Sequence, residues 1–105
     1  MSIHFFVRFE PLPGKEAEFR EAMLRNVGPS RAEVGCLSLR TFESIREPKK
    51  FAIHSEWVDE AAFELHARLP HTVRFLETAE KLLPQDVNGL RMQEIGEGAP
   101  ASAGA

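Results

Sequence analysis

The opening segment SIHFFVRFEP places Ile3, Phe5, Val7 and Phe9 at every second position. A period of two sends alternate side chains to opposite faces, so the segment reads as a β-strand with one apolar face. Such a strand is not stable alone. Its backbone groups need neighbouring strands and its apolar face needs a covering layer. The remaining sequence must provide both.

PLPGKE turns the chain, with Pro13 suited to the first position of a helix. From Lys15 to about Val27, Phe19, Met23 and Val27 recur every fourth residue among Glu and Arg, the pattern of an amphipathic helix. Gly28 and Pro29 are expected to stop it. CLSLRTFES and FAIHSEWV read as strands, and the short polar REPKK between them implies an antiparallel hairpin. Asp59 stands where a helix N-cap belongs, and its helix runs to about Leu69, where Pro70 prevents simple continuation. A second helical piece, striped by Phe75, Leu76, Ala79, Leu82 and Leu83, reaches Pro84. VNGLRMQEI reads as a fourth strand, with Asn88-Gly89 marking a bulge or turn as the alternative.

The order is β-α-β-β-α-β with the second helix broken at Pro70. This is the ferredoxin-like α+β arrangement, an antiparallel sheet with helices on one face. The domain is expected over residues 1–95, and GEGAPASAGA, residues 96–105, as a disordered tail without large apolar side chains. Phe6, with Phe42, Leu90 or Met92, is expected on the face of the sheet away from the helices, which makes that face more apolar than a solvated one. A second copy packed there would cover it, so a homodimer is expected; the ordinary alternative is a monomer with a few exposed apolar residues.

Composition removes several function classes. A formal charge of −3 gives no basic field for nucleic acid. No apolar run approaches the roughly 20 residues that span a bilayer, and the N-terminus lacks a basic leader, so a cytoplasmic protein is expected. The single cysteine, Cys36, forms neither an internal disulfide nor a cysteine-based zinc site, and reads as a small buried hydrophobe.

EFREAM leading into PSRAEVGCLSLRTFES, then FAIHSEWVDEAAFELHARLPHTVRFLETAEKLL, resembles the antibiotic-biosynthesis monooxygenase (ABM) domains from about Ile3 to Ile95. The features that carry the likeness are SRAE-x-GC, the Glu-Trp that ends the third strand, and EAAFELH followed by PH and Phe75. The resemblance implies ferredoxin-type subunits that associate into a dimeric α+β barrel. It implies oxidation of a small quinol or polyphenol by molecular oxygen without a prosthetic group. Haem-cleaving relatives are a less fitting comparison, because IHFFVRFE holds no asparagine and His66 stands where they carry a tryptophan. A non-catalytic dimeric module that binds an apolar metabolite is the alternative from another class.

His66 lies on the apolar stripe of its helix with Ala62, Phe63 and Leu69. Taken alone, it reads as a core-edge histidine satisfied by a backbone carbonyl. The resemblance makes it the expected general base, which would take a phenolic proton and leave the electron-rich anion that oxygen attacks. His71 follows five positions later, about 140° away on an unbroken helix, and is expected as a secondary polar group. Trp57, Phe63 and Phe75 are expected pocket walls, and Arg40 and Arg91, taken as lying on neighbouring strands, expected holders of a substrate anion. His4 and His54 remain lesser pocket candidates. His-x4-His lacks the same-face spacing of HExxH, and no carboxylate forms an obvious third ligand with it, so no metal or other cofactor is expected.

Overall fold

The computed structural model describes residues 2–84 and 87–96. The elements run β1 (Ile3–Phe9), α1 (Glu16–Arg31), β2 (Cys36–Glu43), β3 (Phe51–Trp57), α2 (Glu60–Arg68), α3 (Pro70–Leu82) and β4 (Asn88–Met92). The strands form one antiparallel sheet in the order β2-β3-β1-β4. This is the expected ferredoxin-like arrangement, with the broken helix resolved into α2 and α3. Beyond Gly96, the expected tail lies outside the described residues.

The alternation of β1 sorts the sheet's two faces. Phe5 stands opposite Ser55 and Arg91, and Val7 opposite Ile53 and Gly89. These odd-numbered positions lie under the helices, where four phenylalanines make the centre of the core. Phe19 from α1 sits 4.9 Å from Phe9 and 5.2 Å from Phe51, and Phe75 from α3 meets Phe9 edge-on at 5.7 Å. Offset and edge-on pairs of this kind add to the burial of the rings themselves. Phe6, Phe42, Leu90 and Met92 all remain exposed, and Phe6 pairs in register with both His54 and Leu90 on the outer face.

Two boundaries differ from expectation. Gly28 and Pro29 do not end α1, which continues to Arg31. Gly28 has no Cβ to collide with the proline ring, which lowers the usual barrier to helix before proline. The Arg31 guanidinium then donates two hydrogen bonds, at 3.0 and 2.8 Å, to the Leu39 carbonyl and fastens the last turn to β2. Gly89 makes neither bulge nor turn, and β4 spans only Asn88–Met92. A Cβ on Gly89 would fall 2.0 Å from Cζ of Phe5, so any larger residue there must displace that ring.

Gly89→Ala is therefore expected to lower stability by about 1–3 kcal/mol, the usual range for overpacking. Shrinking the opposing ring in Phe5→Leu/Gly89→Ala should recover part of the loss, read as non-additive urea midpoints.

Candidate functional site

The loop from Ala32 to Gly35 and the corner between α2 and α3 meet at one point. On the loop, the Glu33 amide donates to Ser30 O at 3.2 Å and its carbonyl accepts from Cys36 N at 3.0 Å. Gly35 lets the loop lie against α2, because a Cβ there would meet the Ala62 Cβ at 2.4 Å. Asp59 caps α2 by accepting from Ala62 N at 2.8 Å, as its position in the sequence suggests. Leu69 is extended and serves both as the C-cap of α2 and the N-cap of α3, with Pro70 at the first turn of α3.

This corner turns His66 and His71 toward each other. Glu33 Oε2 accepts from His66 Nδ1 at 2.7 Å and from His71 Nε2 at 2.8 Å. The two rings are 5.9 Å apart. Thr72 Oγ1 is 3.3 Å from the same His66 nitrogen. All three side chains of the triad are largely buried. A carboxylate offers only acceptors, so the pattern assigns the Nδ1–H tautomer to His66 and the Nε2–H tautomer to His71. His66 Nε2 is left with its lone pair and has no partner among the described residues. Burial pushes the His66 pKa below its ordinary value, and the Glu33 carboxylate opposes that shift without cancelling it.

His66 enters the wall of a cavity of about 350 Å³ between the sheet and the helices, with Phe5, Phe63, Phe75 and Arg91. Phe63 and Phe75 both line this cavity. Trp57 does not line the cavity. It is fully buried behind His66, with ring centroids 4.4 Å apart, and its Nε1 donates to Ser55 Oγ at 2.9 Å. Arg91 reaches the wall, but its Nη1 donates to Glu60 at 3.1 Å and to Glu64, while the guanidinium lies 4.9 Å over Phe63. Its charge is already met. Arg40 and Arg91 are not on neighbouring strands, since β2 and β4 are opposite edges of the sheet, and Arg40 lies on the outer face beside His54. His4 and His54 also belong to that face, with Nδ1 and Nε2 2.8 Å apart. Burial, foremost, raises the Cys36 thiol pKa.

The carboxylate missing from the sequence-based metal argument is Glu33. One ligand atom each from Glu33, His66 and His71 lies within 4.8 Å of the others, a donor set that suits a divalent first-row ion. The two imidazole nitrogens already meet the same carboxylate oxygen at hydrogen-bonding distance, so the triad is also complete with protons alone. Glu33 lies in SRAE-x-GC, part of the family likeness, but no spacing rule connects it to histidines 33 and 38 positions away.

No helix among the described residues is long and apolar enough to cross a membrane. Residues 2–78 match the model of the antibiotic biosynthesis monooxygenase family. A Synechocystis protein is 29% identical over 85 residues; the match covers 81% of this chain but only 57% of that protein's length. YcnE of Bacillus subtilis is 31% identical over 81 residues, with 77% of this chain and 85% of YcnE covered. The fold is shared with Rv0793 of Mycobacterium tuberculosis at a TM-score of 0.86 and 22% identity, over 94% of this chain and all of that one.

A histidine with a depressed folded-state pKa gives its full contribution to stability above about pH 6.5 and loses it as pH falls toward the folded value. The His66 ring should therefore titrate below 6.5 by NMR. In Glu33→Gln its midpoint should fall further, because the carboxylate raises it, and the fold should lose about 1–3 kcal/mol at neutral pH.

Proposed function

Because the chain belongs to the antibiotic biosynthesis monooxygenase family, we propose that it oxidises a small quinol or polyphenol with molecular oxygen, without a metal or other cofactor. The observation that carries this reading is His66 in the wall of a largely apolar cavity, its Nδ1–H held by a buried carboxylate and its Nε2 unpartnered. In the proposed reaction, His66 Nε2 takes a phenolic proton. Glu33 fixes the ring and stabilises the imidazolium that results.

A quinol carries its own reducing equivalents. Insertion of one oxygen atom at a ring C–H supplies two electrons and oxidation of the quinol to the quinone two more. These four reduce both atoms of O2, one entering the ring and the other leaving as water. No external reductant is needed. The phenolate is more electron-rich than the neutral quinol and gives up an electron to oxygen more readily. Phe63 and Phe75 flank the ring in this reading, and the cavity holds anion and oxygen together away from bulk water. His71 acts through Glu33 as a positioning residue. Trp57 supports His66 from behind and does not stack on the substrate.

The active form in this proposal is a cytoplasmic homodimer joined through the outer sheet face. The exposed Phe6, Phe42, Leu90 and Met92 support it, since together they are a large apolar surface for a small domain. Light scattering at micromolar concentration should give twice the 11.8 kDa chain mass. A monomer mass would remove the dimer from the proposal.

Oxygen uptake with a panel of quinols should exceed the uncatalysed background and persist in excess chelator. His66→Ala should lower kcat by about 100-fold or more, within the range for loss of a general base. Uptake abolished by chelator would instead favour a metal held by Glu33, His66 and His71, the second reading that their donor set supports. Phenol binding without uptake would leave the non-catalytic module.

A further inference from the structure

Among the described residues, two buried side-chain atoms have no hydrogen-bond partner, Asn26 Oδ1 and Ser30 Oγ, one turn apart on α1. Asn26 differs from Ser30 in its surroundings. It lines the cavity that holds His66, and also a groove of about 410 Å³ between α1 and α3, bordered by Arg25, His71 and Arg74. Its side chain thus borders both spaces. Only 7% of the residue is exposed.

A buried amide with an unmet carbonyl weakens a fold, and a leucine of similar volume would serve the wall better for packing alone. Nearby wall positions are apolar, among them Leu39 and Phe75. The unmet carbonyl stands at a space that a guest can enter. The amide's two ends, one acceptor and one donor, can meet a hydroxyl in either sense after rotation of the side chain. The cavity wall thus carries His66 from the end of α2 and Asn26 from α1, on different elements, with Phe63 and Phe75 in the same wall. Its other polar residues, Ser55, Thr72 and Arg91, already have hydrogen-bond partners.

We propose that Asn26 is a specificity residue that binds the second hydroxyl of a dihydroxylated aromatic whose first hydroxyl faces His66. This rests on the phenol-binding reading of the cavity and narrows it: a monohydroxylated ring of the same size leaves the amide unmet. A site that hydrogen-bonds a substrate hydroxyl rejects the analogue without it, because its own buried polar group then goes unpaired.

The test is anaerobic calorimetry with 1,4-dihydroxynaphthalene and 1-naphthol. The parent protein should bind the diol about tenfold or more tightly than the naphthol. Asn26→Leu should bring the two affinities within about threefold while keeping that for naphthol, and should melt at the same or a higher temperature. A structural asparagine would give the opposite thermal result, a lower melting temperature. Asn26→Ala, which leaves space instead of filling it, should also lose the preference. The proposal fails if the parent shows no preference for the diol, or if both variants retain it. If neither compound binds the parent at millimolar concentration, the phenol site itself is wrong and Asn26 falls with it. Binding of both with equal affinity overturns the Asn26 role alone.

Discussion

Glu33 is a carboxylate with most of its surface removed from water, a state that costs several kcal/mol unless its lone pairs are met. Two imidazole N–H groups meet one of its oxygens, at 2.7 and 2.8 Å. The bonds join a loop after α1, the end of α2 and the start of α3. Each partner constrains the others: the carboxylate fixes both tautomers, and the histidines make its burial tolerable. The position of His66 at the cavity follows from this balance, as does the free Nε2 on which a base role depends.

The site sets opposing influences against each other. Burial favours the neutral imidazole, while Glu33 favours the cation. A base must accept a proton readily yet be unprotonated at rest, and a pKa below the ordinary value with a carboxylate in contact meets both needs. Trp57 contributes rigidity. Its fully buried ring packs behind His66, and its only polar atom is bonded to Ser55. Over Phe63, Glu60 and Glu64 offset the charge of Arg91, so that part of the cavity presents no free cation.

The sequence revealed those parts of the structure that depend on local period. The alternation in β1 separates Phe5, Val7 and Phe9 from Phe6, and the same parity places Phe42, Leu90 and Met92 outside. Asp59 and Pro70 mark the ends of α2 through rules that involve only a few neighbouring residues. The end of α1 was not legible, because Gly28-Pro29 has the local chemistry of a stop while the bonds from Arg31 to Leu39 are tertiary. Glu33 was hidden for a similar reason: its partners are distant in sequence. Arg40 and Arg91 were misplaced because their separation depends on strand order, which parity does not reveal. Trp57 is expected in the pocket wall but is buried behind His66, because its place depends on how α2 crosses β3, which no local period reveals.

Leu69 alone separates the last residue of α2 from the first of α3. A helix turns by about 100° per residue, so adding or removing one residue at this corner would rotate His71 away from Glu33 and Thr72 away from His66 without changing any side chain. The spacing between His66 and His71 is therefore as much a component of the site as the two imidazoles. Substitution can tune this corner, whereas a change in its length dismantles it.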